Sequence, residues 1–205
     1  MRALRPAAAL HEALQAAAQQ GGSPPPKDFV ESAEAILPFF DHLGPVFTVA
    51  RHEFTSKLAT LRDAAGRHRT LSDVVRADAA RGAVTVKNSC TRNLHRLVAA
   101  ISFIKILFER LSRSHATHLR EAASDAYEAA LAPFHTMLIR GAVRAGMLTL
   151  PTREHFLASI GETEESAAPR CAEVIASCEA VIVVVDKLLA GIEFPVSDVW
   201  FWPSR

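Results

Sequence analysis

The sequence predicts an all-α protein of about eight helices, in which a central helix is sandwiched between layers of others. Apolar residues recur at helical spacing through most of the 205-residue chain, and Gly and Pro separate the segments that carry this pattern. No two segments show the alternation of apolar and polar residues that paired strands would need. With 49% hydrophobic residues, the chain is able to bury one sizeable core.

The folded domain is predicted to begin near residue 27. Positions 21–26 are GGSPPP, a stretch that no helix crosses because Pro lacks the backbone N–H and Gly favours turns. We therefore expect residues 1–26 to be an N-terminal extension and linker, and residues 27–205 to be one domain.

Three helices are predicted before the central one. The first spans 28–44 and contains Pro38, which should bend or tighten its last turns. The second spans 45–66, where Pro45 suits the first helical position and a Gly ends the helix. The third, over 70–80, is short and opens on a hydroxyl residue that makes a good N-cap.

The central helix is predicted over residues 88–111 and is apolar on two faces. One face is an ordinary core stripe. The other begins with Arg92 and Arg96, one turn apart, and continues with Ala99, Ala100, Phe103, Ile106 and Leu107. Such a helix must be covered on both sides, and the second cover is either protein or an apolar ligand. A ligand there should have an anionic head and a long hydrocarbon tail.

Four helices are predicted after the central one, over 118–131, 135–147, 152–160 and 167–189. The last contains the run VIVVV, whose local propensity favours a strand. Its length, its Ala content and the lack of a partner strand favour a helix, which is our prediction.

Two pairs of charged residues and one histidine are candidates for a binding site. Arg92 and Arg96 form either a solvated helix edge or a clamp for phosphate, because guanidinium groups match the geometry of phosphate oxygens. Glu53 and Lys57 form either a surface ion pair, which spacing alone favours, or a polar anchor at the mouth of a pocket. His135 is placed to donate to a ligand carbonyl or phosphate, although a lone His is more often structural.

Composition and motifs argue against several classes of function. A net charge of +1 gives no field for nucleic acid, and the three cysteines lack zinc-ligand spacing and indicate reduced thiols. No catalytic motif or phosphate-binding loop occurs, so we predict no enzyme, cofactor or metal site; an unfamiliar site built from Glu53 and His135 is the one open alternative. The longest apolar run, residues 180–185, is too short to cross a bilayer, and we expect a soluble cytoplasmic protein.

Three segments of the chain resemble one known family. They are ILPFFDHLGPVFTVARHEFTSKLATL, TRNLHRLVAAISFIKILFERL and YEAALAPFHTMLIRGAVRAGMLTLPTREHFL. In this order and spacing they are similar to the glycolipid transfer protein superfamily, and most to its phosphate-head-group branch, which includes the ceramide-1-phosphate transfer proteins and the plant accelerated-cell-death protein. The likeness spans roughly residues 29–162.

The resemblance implies a two-layer helical sandwich with an apolar lipid cavity, which carries a sphingolipid between membranes without chemistry. Its partners are then a sphingolipid ligand and, transiently, a membrane surface; it indicates no nucleic acid and leaves protein partners unknown. The family's phosphate-binding residues fall on Lys57, Arg92, Arg96 and His135. Its acidic residue, which holds the sphingoid amide and hydroxyl, falls on Glu53. An arginine at position 96, where the sugar-binding branch has tryptophan, points to phosphate.

Two departures from the family pattern concern the amide contact and the membrane contact. Glu53 replaces the family's aspartate, which moves the acceptor by about one bond length. Met137 stands where the family often has tryptophan, so Trp200 or Trp202 either takes over interfacial contact or packs onto the domain. The candidate residues for the cavity lining are Val46, Phe47, Val49, Phe103, Ile106, Leu107, Leu138 and Ile139.

The function that the resemblance predicts is transfer, or sensing, of a phosphorylated sphingolipid such as ceramide-1-phosphate. Two alternatives are kept. The first is transfer of a neutral glycosphingolipid, and the second is a lipid-binding scaffold that acts through a protein partner.

Overall fold

The computed structural model describes residues 23–196, which form nine α-helices and one 3₁₀ turn. The helices are α1 (Pro26–Glu34), α2 (Leu37–His42), α3 (Pro45–Ala65), α4 (Leu71–Ala80), α5 (Cys90–Arg113), α6 (Leu119–Ala130), α7 (Met137–Met147), α8 (Arg153–Ser159) and α9 (Glu164–Leu189), and the turn is Ala132–Phe134. No β-strand occurs between residues 23 and 196, and the all-α prediction is confirmed. Trp200 and Trp202, proposed above as interfacial or packing residues, lie outside the described residues.

The first predicted helix is divided in two, which raises the number of helices within residues 23–196 from eight to nine. α1 ends at Glu34, and α2 begins at Leu37 with Pro38 in its first turn. Because Pro38 has no N–H to donate, it fits the start of a new helix and not the interior of α1. Gly44, at φ 95°, then separates α2 from α3 in a conformation that side chains disfavour.

Helix α5 is the centre of the fold and contacts α3, α4, α6 and α9. Ser89 is the N-cap of α5, and its side-chain oxygen accepts from the backbone N–H of Arg92. Leu97 from the core stripe and Phe103 from the opposite face are both at most 1% exposed. Both apolar faces of the central helix are therefore covered, as the sequence predicts. Around it, α1 and α2 pack on α3, and α7 contacts α3 and α6.

The valine-rich segment is helical, as predicted, and its helix begins three residues earlier than expected, at Glu164 instead of residue 167. Val181 and Val185, one turn apart, are buried, whereas Val183 is 53% exposed. Burial of this helical stripe in the contact between α9 and α5 overrides the strand propensity of the individual valines. Within residues 23–196, no helix combines the length and apolar character that spanning a bilayer requires.

The end of the predicted linker is attached to α4. Ser23 Oγ accepts from the backbone N–H of Ser72 at 2.9 Å, and the carbonyl of Pro24 accepts from the N–H of Leu71 at 2.9 Å. Pro26, the first residue of α1, is buried. The last residues of the predicted linker, 23–26, therefore pack against the helical domain and form hydrogen bonds with it.

Candidate functional site

A narrow apolar cavity lies among helices α2, α3, α5, α6 and α7. Its apolar lining is formed by Phe40, Phe47, Ala50, Phe54, Ala99, Ala100, Phe103, Leu131, Phe134, Val143 and Met147. The polar lining residues are Lys57, Arg96, Tyr127 and His135. A water-sized sphere is able to occupy only about 40 Å³ of it, whereas ligand pockets typically measure roughly 300–1,000 Å³. Phenylalanine rings make up much of the lining, and the centroids of Phe47 and Phe103, which stack on each other, lie 5.8 Å apart.

Arg96 enters this cavity from α5 as a buried cation, 9% exposed. Its Nη2 donates to the carbonyl of Pro195, its Nη1 lies 3.4 Å from Nδ1 of His95, and its Nε is buried without a hydrogen-bond partner. No carboxylate of residues 23–196 forms an ion pair with it. Burial, and after it the charge of Arg92, lowers the pKa of Arg96 to about 10, so the guanidinium is still charged at neutral pH. It is therefore a charge that the protein compensates only in part.

Aromatic rings that the sequence did not single out lie on one side of this guanidinium or next to its neighbour His95. Cζ of Arg96 lies 4.7 Å from the ring centroid of Phe134, a cation–π distance. His95 stacks on Phe194 at 4.0 Å and meets Phe134 edge-on at 4.7 Å. Burial, then Arg96 and Arg92, lowers the pKa of His95 to about 4, so its ring is neutral at pH 7. The only sequence signal for His95 was its position between the two arginines, because Phe134 and Phe194 come from distant segments.

Arg92 lies one turn before Arg96 but does not line the cavity. Its Nη1 donates to the carbonyl of Thr85 at 3.1 Å, and its side chain is partly exposed. Its charge nevertheless reaches the site, because it lowers the pKa of both Arg96 and His95. The predicted arginine pair thus consists of one buried guanidinium in the cavity and a second one beside it.

Glu53 and Lys57 form an ion pair on α3, with Nζ of Lys57 2.6 Å from Oε2 of Glu53. The side chain of Lys57 is 18% exposed and lines the cavity, whereas that of Glu53 is 33% exposed. The structure thus shows the ion pair and places Lys57 at the cavity wall, while the interpretation of the pair as a polar anchor for a ligand stays a prediction. As a partly exposed pair it contributes little to stability.

His135 is buried at the cavity, in the connection between the 3₁₀ turn and α7 and not in the helix predicted from residue 135. Its Nδ1 lies 2.9 Å from the hydroxyl oxygen of Tyr127. Burial lowers the pKa of His135 to about 4, and the charges of Arg96, Arg140 and Lys57 add to this effect. The imidazole ring of His135 is therefore neutral at pH 7, and the three neighbouring cations all disfavour its protonation.

The predicted apolar lining residues are distributed over three environments. Phe47 and Phe103 line the cavity. Those packed in or against the core but outside the cavity lining are Ile106, Leu107 and Ile139. Val49 and Leu138 are 37% and 84% exposed. The backbone of Val46 belongs to α3, and its side chain lies outside the described part of the structure.

Comparison with known families shows the family to which this chain belongs. The profile of the family described as Glycolipid transfer protein (GLTP) matches residues 25–162, which include α1 to α8 and every polar residue of the cavity. The chain belongs to the glycolipid transfer protein family. The resemblance predicted from three sequence segments is thus confirmed.

Individual relatives agree with this assignment. The ACD11 homolog protein of Arabidopsis thaliana is 32% identical over 161 residues, which cover 78% of this chain and 70% of the relative. The ceramide-1-phosphate transfer protein of Homo sapiens is 27% identical over 176 residues, with 79% and 82% covered. A mutant of Arabidopsis ACD11 complexed with C12 ceramide-1-phosphate matches with a TM-score of 0.86 and 29% identity, over 92% of this chain and 95% of that one. The predicted fold is therefore confirmed by relatives as well as by its helices.

Proposed function

We propose that this protein binds a sphingolipid with a phosphate head group, such as ceramide-1-phosphate, and transfers it between membranes without chemical change. The observation that carries the proposal is Arg96, a buried guanidinium at the cavity with no carboxylate partner among residues 23–196. A buried charge is costly unless it is paired, and an anionic head group would supply the partner. The names of the human relative and of the liganded neighbour, both of which specify ceramide-1-phosphate, support the same ligand.

Arg96 and the polar residues near it supply hydrogen-bond donors for the phosphate. Glu53 supplies one acceptor for the amide and hydroxyl groups of the sphingoid base. Arg96 and Lys57 offer charged donors, and neutral His135 is able to donate one ring N–H. Arg92 would join them after leaving the carbonyl to which it donates in this structure. If Lys57 turns to the phosphate, the carboxylate of Glu53 is released and accepts from the amide and hydroxyl of the sphingoid base. A site for a sugar head group would instead need a large aromatic side chain that stacks on the sugar ring and hydrogen-bond acceptors for its hydroxyls, and not a cluster of cations.

The hydrocarbon chains supply most of the binding free energy. At about 0.8 kcal/mol per methylene, removing a two-chain lipid from a bilayer forfeits on the order of 20 kcal/mol. Head-group bonds of about 1.5 to 3 kcal/mol each cannot replace this. The chains must therefore enter apolar space, and the present room of about 40 Å³ is too small for them. We propose that α3 and α7 separate from α5 and that Phe47 and Phe103 swing aside.

Membrane contact is proposed for the start of α7. Met137 and Leu138 are 74% and 84% exposed, and they follow His135 by two and three residues. Adjacent large apolar side chains in water are typical of surfaces that bind a membrane or a protein. Insertion of these two residues would place the cavity, with His135 at its edge, at the bilayer surface. We place this activity in the cytoplasm, in keeping with three cysteines that form no disulfide.

An intervesicle transfer assay tests the proposal. Donor vesicles carry ceramide-1-phosphate, glucosylceramide or ceramide with the same fluorescent acyl chain, and we expect rapid transfer of ceramide-1-phosphate alone. Arg96→Leu should abolish that transfer, whereas Arg67→Leu, which removes an exposed arginine outside the cavity, should not. Native mass spectrometry of the purified protein should show a co-purified phosphorylated sphingolipid.

The alternatives predict different results in the same assay. Faster transfer of glucosylceramide would make the protein a glycolipid transfer protein in activity. Binding of lipid without intervesicle transfer, together with a protein recovered in pull-downs, would indicate a scaffold. Undiminished transfer of ceramide-1-phosphate by Arg96→Leu would refute the phosphate site.

A further inference from the structure

We propose that residues 194–196, here called the C-terminal strap, occupy the head-group site and give way when a phosphate binds. The proposal rests on the proposed function and adds a regulatory contact to it. In this structure the strap supplies to Arg96 the acceptor that a phosphate oxygen would supply. Lipid binding is then an exchange of one acceptor for another at the same guanidinium.

The path of the chain after α9 brings the strap back to α5. α9 ends at Leu189, and the carbonyl of Leu189 accepts from the backbone N–H of Ile192 at 3.1 Å. Gly191 has φ 81°, a left-handed conformation in which a side chain would be strained. This reversal allows Pro195, which is 99 residues from Arg96 in sequence, to accept from its Nη2.

Contacts of Pro195 and Phe194 hold the strap at the site. The carbonyl of Pro195 accepts from Arg96, and the ring of Phe194 stacks on that of His95 with centroids 4.0 Å apart and planes at 14°. Phe194 is partly buried and packs against the core, whereas Pro195 and Val196 are exposed. The strap is therefore fastened by the aromatic side chain of Phe194 and the backbone acceptor of Pro195, and its last two residues are exposed.

The strap is an incomplete partner for Arg96. A single neutral carbonyl leaves Nε of the buried guanidinium without an acceptor, and it carries no charge to balance the cation. A phosphate has three acceptor oxygens and a negative charge, and guanidinium groups bind it through two parallel bonds. We therefore expect the phosphate to displace Pro195, because it satisfies donors that the strap leaves unpaired.

The strap lowers the apparent affinity for the lipid, because only the fraction of molecules with an open strap is competent to bind the phosphate. Weakening the strap should consequently tighten the binding of phosphorylated ligands. It should have little effect on the binding of a lipid that lacks the phosphate and does not compete for Arg96. This difference separates the strap from a general effect on the cavity.

The test compares Phe194→Ala with the matched control Val183→Ala, which shortens a 53% exposed side chain on α9. Fluorescent ceramide-1-phosphate and ceramide with the same acyl chain are titrated into each full-length protein. We expect Phe194→Ala to bind ceramide-1-phosphate about tenfold more tightly, which corresponds to about 1.4 kcal/mol. Binding of ceramide, and both affinities of the control, should stay unchanged. Equal or weaker binding of ceramide-1-phosphate by Phe194→Ala would overturn the proposal.

Amide hydrogen exchange of the wild-type protein gives a second measurement that does not depend on the folding of a variant. The peptide that contains residues 190–196 should exchange faster after ceramide-1-phosphate is added, and unchanged or slower exchange would contradict displacement. Failure of the proposed function is recognised separately. If the wild-type protein does not bind ceramide-1-phosphate more tightly than ceramide, both the proposed function and the proposed displacement of the strap are contradicted. If that preference is present and Phe194→Ala has no effect, only the strap fails.

Discussion

Replacing Arg96 by leucine should weaken ceramide-1-phosphate binding strongly and change the free energy of unfolding much less. The pKa of Arg96 falls from 12.5 to about 10 in the folded protein, chiefly through burial. At about 1.4 kcal/mol per pKa unit, holding this charge costs the folded state about 3 kcal/mol. Arg96→Leu removes that cost.

The same substitution also removes two favourable contacts of the side chain. The hydrogen bond to the carbonyl of Pro195 contributes about 1.5 to 3 kcal/mol, since its donor is charged. The cation–π contact with Phe134 adds about 1 kcal/mol. These gains and the desolvation cost nearly cancel, so we expect the free energy of unfolding to change by less than about 2 kcal/mol.

The effect on binding is offset only in part, because the phosphate displaces the single bond from Arg96 to the carbonyl of Pro195. Two charge-assisted bonds to phosphate oxygens in place of that one leave a net gain of about 1.5 to 3 kcal/mol, which is about tenfold to a hundredfold in the dissociation constant. Urea unfolding followed by circular dichroism measures the free energy of unfolding, and titration with ceramide-1-phosphate measures the dissociation constant. Arg67→Leu is the control for loss of an arginine. A loss of stability well above about 3 kcal/mol would show that Arg96 is a structural residue and would contradict its role as an unpaired cation that awaits a phosphate.

Three further predictions concern the membrane contact, the cavity and a buried histidine. Replacing Met137 and Leu138 together by serine should reduce vesicle binding and transfer several-fold, because it removes the exposed apolar residues of α7. Ala100→Phe should block transfer of every sphingolipid, since a phenyl ring at this position of the lining would occupy space that the chains need after the helices separate. Lowering the pH from 7 to 5 should cost about 2 kcal/mol of stability through His135, since the unfolded protein binds a proton below about 6.5 and the folded one only near 4.

Each of these predictions has a result that contradicts it, and the first and the third have a control variant. Val183→Ser removes an exposed valine on α9 and should leave transfer unchanged, and equal losses in both variants would argue against a membrane contact at α7. For Ala100→Phe, unchanged transfer by a folded variant would show that the chains lie elsewhere. His135→Gln should reduce the decrease in stability between pH 7 and pH 5 by about 2 kcal/mol; an equal decrease in the variant would place the titration on other groups.

Much of the fold follows from local sequence signals. Pro45 and Gly44 mark the start of α3, and Thr70 caps α4 where a hydroxyl residue was expected. These boundaries are predictable because capping and proline geometry depend on a few neighbouring residues. The break between α1 and α2 was not predicted, although Pro38 signalled a disturbance, because periodicity cannot distinguish a bent helix from two short ones.

The candidate site was predictable in its types of residue and less so in its geometry. The helical spacing of Arg92 and Arg96 indicated two cations on one face, but burial separates their roles: Arg96 enters the cavity, and Arg92 donates to the backbone outside it. Leu138 was a candidate for the lining and is instead 84% exposed. A single turn of helix contains residues that face in opposite directions, and only the neighbouring helices decide which direction is buried.

Periodicity and residue type at fixed spacing were enough to establish the all-helical class and the central helix with two apolar faces. The phosphate role of the charged residues came from the likeness to a family and not from their spacing, and it stays a prediction. The tertiary structure alone decided that the guanidinium of Arg96 is buried, that Tyr127 meets His135, and that a carbonyl from residue 195 contacts Arg96. Contacts between segments 99 residues apart leave no local pattern in the chain, because they depend on how whole helices pack.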